Sequence, residues 1–226
     1  MSGAIEPFEE YADEYDAWFQ RNPAAYRTEL RAIKAALPPS GCCLEIGVGT
    51  GRFAAPLGVP AGIDPSPAMA AITRKRGVEV TIGKAELLPF TAEEFDYALM
   101  VTTICFVDDL GAAFREAARV LKPGGSLVVG FIDRESPMGR RYAARKDRDP
   151  FYRDARFYSV EEVSSQMEKA GFDKPVSSQT IFSSVDSMSE EQPVKSGYGE
   201  GSFVVLKATK GMTSRDSGQR HLVVKG

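Results

Sequence analysis

Leu44-Glu45-Ile46-Gly47-Val48-Gly49-Thr50-Gly51-Arg52 is the stretch that decides the fold. An apolar run from Cys42 to Ile46, carrying one carboxylate, stops at three glycines on alternate positions. A helix-compatible segment from Arg52 to Leu57 follows. Strand, tight turn and helix in that order make the first unit of an α/β sheet. Glycine lets the backbone take positive φ and lets a ligand lie against the main chain. The helix start then offers unpaired N–H groups to an anion. Spacing separates the kinds of ligand. A dinucleotide turn reads G-x-G-x-x-G. Here the third glycine, Gly51, comes one place early and Arg52 holds the sixth position. Taken alone, the trio also fits a βα turn with no ligand.

Downstream, Val59 to Asp64 is a short second strand ending in a carboxylate, close to where an α/β nucleotide fold places its ribose-binding acid. Two ribose hydroxyls on one carboxylate make two charge-assisted hydrogen bonds. Asp64 also suits a cap for the helix that Pro65-Ser66-Pro67 opens. That helix runs to Arg76, and a third strand spans Val78 to Ile82. Phe95 to Val101 is a nearly continuous apolar run, suited to a parallel strand covered on both faces. Thr102-Thr103-Ile104-Cys105-Phe106-Val107-Asp108-Asp109 lies at its carboxyl end, where open α/β sheets bind their ligands. A helix from Asp109 to Leu121 ends in Arg119-Val120-Leu121-Lys122-Pro123-Gly124-Gly125, and strand five spans Ser126 to Ile132. Ser159-Val160-Glu161-Glu162 is a capping-box-like start to a helix ending at Gly171. Val176 to Phe182 and Gly201 to Ala208 read as the last two strands, joined by a long polar loop.

In combination, from about Tyr15 to Ala208, these segments resemble the class I S-adenosylmethionine (SAM) dependent methyltransferases. The resemblance is closest to the small standalone "type 11"-like members, the type that includes ubiquinone-pathway and other metabolite enzymes. It rests on Glu45 before G-x-G-x-G, on Asp64-Pro65-Ser66 followed by Met69, and on Ala85-Glu86-Leu87-Leu88-Pro89-Phe90. The R-V-L-K-P-G-G turn at 119–125 and the aromatic segment Tyr15-Asp16-Ala17-Trp18-Phe19 complete it. It implies a Rossmann-like α/β fold with a seven-stranded, mostly parallel sheet in the order 3-2-1-4-5-7-6, the last strand antiparallel and helices on both faces. The implied activity is methyl transfer (EC 2.1.1.-) from SAM, leaving S-adenosylhomocysteine, to a small-molecule acceptor, with no metal. The implied cofactor residues are Tyr15, Glu45, Gly47, Val48, Gly49, Gly51, Asp64, Pro65, Ser66, Met69, Ala85, Glu86, Leu87, Thr102 and Thr103. Glu86 and its neighbouring backbone N–H would meet the adenine edge, although a Glu in a loop before Pro89 also suits plain solvation. The Asn/Asp-Pro-Pro-Tyr/Phe motif of members acting on DNA bases or glutamine amides is absent, as is a Pro-Cys pair. A SAM-binding protein without methyl transfer is the alternative; a nucleotide-binding oxidoreductase is opposed by the Gly51 spacing.

The chain of 226 residues is 43% apolar with a net charge of -3, ordinary for a packed domain and without a footprint for nucleic acid or a membrane surface. The expected organisation is one domain over 1–208, with a helical cap or lid over 1–40, an inserted lid over 134–158 and a polar tail over 209–226. Leu222-Val223-Val224 in that tail is a candidate edge strand. Phe8, Tyr11, Tyr15, Trp18 and Phe19 recur at helical intervals in the cap, which suits either plain packing or closure of Tyr15 over a ligand. Residues 134–157 carry eight Arg/Lys against four acids. Two readings follow: an anion-selecting lid in which Arg140 and Arg141, with Tyr152, hold a carboxylate or phosphate, or a solvated charged helix. The acceptor is accordingly a small molecule, anionic under the first reading.

The one histidine, His221, lies near the C-terminus, so a core histidine base is not expected. SAM is already activated, and in-line displacement asks mainly for alignment. Asp108, Asp133, Glu135 and Tyr142 are the candidate bases, each equally a surface or capping residue. Cys42, Cys43 and Cys105 have no metal-like or disulfide-like spacing and read as reduced core thiols, Cys105 as core or pocket wall. The acidic start lacks a signal-peptide core and no apolar run is long enough to span a bilayer. A cytoplasmic monomer or homodimer is expected, without nucleic-acid or membrane partners.

Overall fold

The computed structural model describes residues 5–211. The N-terminal aromatic stretch forms two helices rather than one, α1 (Glu6–Glu10) and α2 (Ala12–Arg21), broken at Tyr11, whose φ of -117° and ψ of 34° are not helical. α3 (Pro23–Ala36) opens on a proline, where a missing N–H costs nothing. There follow β1 (Cys43–Ile46), the single turn α4 (Ala54–Leu57), β2 (Ala61–Asp64), α5 (Pro67–Lys75), β3 (Glu79–Ile82), β4 (Phe95–Val101) and α6 (Leu110–Val120). β5 (Leu121–Ile132), α7 (Pro137–Arg145), α8 (Val160–Lys169), β6 (Val176–Thr180), β7 (Lys195–Ser196) and β8 (Phe203–Thr209) follow within the described residues. The capping box expected at α8 is formed, by Ser159 and Glu162.

The sheet runs β3-β2-β1-β4-β5-β8-β6-β7. Its first five strands are parallel, and β8 enters antiparallel between β5 and β6. The fold is the expected mostly parallel Rossmann-like sheet, with eight strands instead of seven. The extra strand, β7, comes from the polar loop after β6, which folds back and pairs Ser196 with Ser178 and Lys195 with Gln179. That pairing satisfies an edge by backbone groups alone, so no apolar alternation announces it. Thr209 belongs to β8, Lys210 bridges to Phe172, and Gly211 donates to the Gly171 carbonyl, so the domain extends past 208. Residues 212–226, with His221 and Leu222–Val224, lie outside the described residues.

Strand alternation builds two cores. On one face Leu44, Ile46, Ala98, Met100, Leu127 and Val129 pack under Phe114 of α6 and Val163 and Met167 of α8. On the other, Cys43, Leu99, Val101, Val128 and Val205 pack against Ala25, Ala32 and Ile33 of α3. Cys42, expected in the core, is exposed, because the strand begins one residue later. Among the described residues no helix is long and apolar enough to cross a membrane, and no group of three His, Cys, Asp or Glu is placed to hold a metal.

Candidate active site

A solvent-open cleft with roughly 740 Å³ of empty space lies at the carboxyl ends of β1, β2 and β4. Its floor is the glycine turn. The N–H groups of Gly47 and Val48 both donate to the Ile63 carbonyl, at 2.8 and 3.0 Å, which straps the turn to β2. Gly47 has φ of +73°, and a Cβ there would sit 2.2 Å from the Thr103 methyl. No side chain fits that position. The Thr103 hydroxyl in turn lies 3.2 Å from the Gly47 carbonyl, so the β4 exit and the turn hold each other. Beside it Thr102 takes φ of +52°. A β-branched residue pays for this left-handed conformation.

Asp64 ends β2 at the cleft wall and is 7% exposed. Its Oδ2 accepts from the Gly49 N–H at 2.8 Å and its Oδ1 from the Ser66 N–H at 2.9 Å. Burial pushes this carboxyl up to about 6, against the pull of those two N–H donors. Each oxygen keeps lone-pair capacity for a ligand hydroxyl. Both roles expected of Asp64 therefore coincide in one side chain: it ties turn to helix start and faces the cleft.

The N-terminal helices wall the cleft on one side. Glu9 of α1 accepts from the Ser66 hydroxyl at 2.6 Å and the Ala68 N–H at 3.1 Å, seating a carboxylate on the first turn of α5. Phe8 and Tyr15 line the cleft, their rings 5.5 Å apart. Asp16 of α2 grips Arg52 through two bonds, 2.8 and 2.6 Å, and Arg76 at 2.9 Å. Burial alone would raise Asp16, but the two guanidiniums outweigh it and hold the carboxyl down to about 2. Opposite the cap, Ala85 and Glu86 line the cleft, and Glu86 Oε1 accepts from the Asp108 and Asp109 N–H groups at 2.6 and 3.3 Å.

Of the residues expected to hold the cofactor, Tyr15, Gly47, Gly49, Asp64, Pro65, Ser66, Met69, Ala85, Glu86, Thr102 and Thr103 share this cleft. Four do not line it. Glu45 lies buried in β1, its Oε2 without a protein partner among the described residues. Val48 packs over β2 at Gly62. Gly51 abuts α5, where a Cβ would come within 2.9 Å of the Thr73 methyl. Leu87 points to solvent, 77% exposed, and its N–H is spent on the Lys84 carbonyl.

The expected bases fare differently. Asp108 lines the cleft but pairs with Lys84 at 2.9 Å. Asp133 is 3% exposed and accepts the Glu135 N–H, a turn role. Glu135 pairs with Arg134, and burial raises the phenol of Tyr142 away from ionisation. The lid arginines do not reach the cleft: Arg140 donates to the Glu135 carbonyl, and Arg141 lies 3.9 Å from Asp186. Tyr152 stands one layer behind the wall, stacked on Phe106, a cleft residue. Burial lifts the Cys105 thiol to about 12, which keeps it protonated. Phe8 and the Asp16 clamp escaped the sequence reading, and Phe106 was placed only as part of the segment at the β4 exit. Only the aromatic recurrence hinted at the first, and nothing local marks a carboxylate that will meet two distant arginines.

A family model described as a methyltransferase domain matches residues 44–129. An uncharacterised protein of Methanocaldococcus jannaschii is 45% identical over 203 residues, covering 90% of this chain and 98% of its own length. A crystal structure from Thermotoga maritima, described as a SAM-dependent methyltransferase and possible histamine N-methyltransferase, superimposes with a TM-score of 0.89 at 53% identity, over 91% of this chain and 99% of that one. Geranyl diphosphate C-methyltransferase from Streptomyces coelicolor A3(2), solved with S-adenosyl-L-homocysteine, shares the fold with a TM-score of 0.61 at 18% identity, over 81% of this chain and 77% of that one.

Proposed function

The chain belongs to the class I SAM-dependent methyltransferases, and we propose that it transfers the methyl group to a small-molecule acceptor entering over the carboxyl ends of β4 and β5. The observation that carries this reading is Asp64, a buried carboxylate whose two oxygens are each tied to a backbone N–H and still face the cleft. That donor set suits a ribose diol. The adjoining glycine turn leaves main chain uncovered at Gly47 and Gly49, where the amino-acid end of SAM would lie. Glu45 lies buried beneath the turn, its Oε2 without a partner among the described residues, and burial pushes its carboxyl well above the usual carboxylate range, so it brings no charge to the cleft. Ala85 and Glu86 would bracket the adenine, with Met69 beside it.

SAM supplies a methyl on a sulfonium, already activated for displacement. The residues of this chain orient and enclose it. Phe8 and Tyr15 shut water out on the cap side, and Thr102 and Thr103 form the surface over which the acceptor arrives. The expected bases are engaged elsewhere, so alignment and desolvation carry the rate in this proposal.

Calorimetric titration with SAM, S-adenosylhomocysteine and NAD in parallel tests the cofactor part, and transfer of labelled methyl to an acceptor panel tests the rest. Micromolar binding of the first two with none of NAD is the expected result. Tight SAM binding with no transfer to any acceptor would leave a SAM-binding protein without turnover.

A further inference from the structure

Arg52 follows the last glycine of the turn, and Arg76 follows α5 as its C-terminal cap. Asp16 joins the two from α2. Its carboxylate takes Arg52 at 2.8 and 2.6 Å and Arg76 at 2.9 Å, and its own carbonyl accepts from Arg52 at 3.2 Å. Asp16 is buried in this contact. Arg76 donates further to the Thr50 carbonyl at 2.6 Å. The Arg52 guanidinium also lies 5.7 Å from the ring of Phe19, one turn along α2 from Asp16. The clamp thus fastens α2 to Thr50 and Arg52, two residues at the glycine turn that do not themselves line the cleft.

Tyr15, one residue before Asp16, does line it. Its ring lies against Gly49, where a Cβ would come within 3.9 Å of it. Around that ring stand Phe8 and Phe19, each at 5.5 Å, and Phe151 at 5.8 Å. Those contacts hold the cap without direction, because apolar burial depends on area and tolerates sliding. Charge-assisted hydrogen bonds to a planar guanidinium fix both distance and angle. Replacing a buried ion pair by apolar side chains is often neutral or stabilising. Stability alone therefore does not call for a carboxylate at Asp16, whereas orientation does.

We propose that Asp16 is a positioning residue for methyl transfer: its clamp on Arg52 and Arg76 fixes the Tyr15 ring over Gly49 and, through that ring, holds the cap in place on the bound cofactor. The proposal rests on the methyl-transfer reading above and deepens it. Asp16 stands behind the cleft wall, and Tyr15 conveys its effect. Without the clamp the cap still packs, through Phe19 on Tyr26 and Phe53 at 5.2 and 6.0 Å, but it no longer holds the ring over the turn.

Trp18, the one tryptophan of the chain, lies two residues from Asp16 on α2 and reports the cap by its fluorescence. The test is calorimetric titration of the full chain with S-adenosylhomocysteine, with Trp18 emission recorded alongside. Asp16→Asn should weaken binding roughly tenfold, the loss of one charge-assisted contact, and should diminish the emission change that the ligand produces. Introduced into Tyr15→Ala, the same substitution should cost less than about twofold, because the ring that conveys its effect is gone. A purely structural Asp16 would lose the same factor in both backgrounds. Arg76→Gln keeps the Arg52 pair and serves where Asp16→Asn does not fold; its smaller loss should likewise vanish in Tyr15→Ala. Unchanged affinity in folded Asp16→Asn or Arg76→Gln, or an equal loss with and without the Tyr15 ring, would overturn the proposal. Failure of the wild-type chain to bind S-adenosylhomocysteine would overturn the methyl-transfer reading, and this proposal with it.

Discussion

Asp64 shows how much one side chain can be asked to do. It joins the glycine turn to the start of α5 and presents the remaining capacity of both oxygens to the cleft. Asp64→Ala should weaken SAM binding by about 1.5–3 kcal/mol, the range for hydrogen bonds to a charged group, as measured by calorimetry with folding checked by circular dichroism. Asp64→Asn is no neutral control, since its amide nitrogen would confront the Gly49 or the Ser66 N–H. The pH dependence has a definite sign. The folded carboxyl, raised by burial to about 6, binds more protons than the unfolded one between the ordinary aspartate range and that value. Its contribution to stability therefore falls as pH rises through that window. Ligand hydroxyls favour the ionised form, so SAM affinity should drop when the titration is repeated below pH 6. Unchanged affinity at acid pH, or in Asp64→Ala, would remove this residue from the site.

Between elements, the loop from Gly83 to Phe90 is held from behind. Arg119, at the end of α6, donates to the Phe90 and Leu88 carbonyls at 2.8 Å each and forks onto Glu116, while Glu116 accepts the Leu88 N–H at 2.8 Å. The R-V-L-K-P-G-G segment thus positions the loop carrying Ala85 and Glu86 without touching the cleft, beyond its expected part as a helix stop. Arg119→Ala should cost about 1–3 kcal/mol of stability in urea unfolding, since it strips two carbonyls of their donor. It should also weaken S-adenosylhomocysteine several-fold by freeing the loop. A stability loss with full affinity would mean the loop holds its shape unaided. The N-terminal cap shows the opposite relation between pattern and structure. Phe8, Tyr15 and Phe19 continue one stripe across the break at Tyr11, as the Phe8–Tyr15 and Tyr15–Phe19 ring contacts of 5.5 Å show, so periodicity reads two helices as one.

Taken whole, the molecule builds this cleft from segments far apart in sequence: the cap, the glycine turn, the 83–86 loop and the β4 exit. A ligand that bridges them should protect them together. Hydrogen exchange with S-adenosylhomocysteine should slow amides in 5–21, 83–90 and 102–109 and leave 137–145 unchanged; slowing confined to the glycine turn would mean that the cap does not close on the ligand. The parallel core was legible in sequence, because positive-φ glycines, buried apolar runs and helix caps are written in adjacent residues, while the strand order followed from the family that the ordered motifs resemble. Asp64 was legible for the same reason, as a carboxylate at the end of a strand. The eighth strand was not, since Lys195 and Ser196 pair through main chain that every residue possesses. Nor were the partners of the charges. Asp16 meets Arg52 and Arg76, Arg119 meets the loop before β4, Arg140 turns to the Glu135 carbonyl, and Arg141 turns towards Asp186. By itself the sequence determined where the backbone turns and which faces are buried, and tertiary structure alone decided which charges meet, because electrostatic partners are set by distance in space and leave no local pattern.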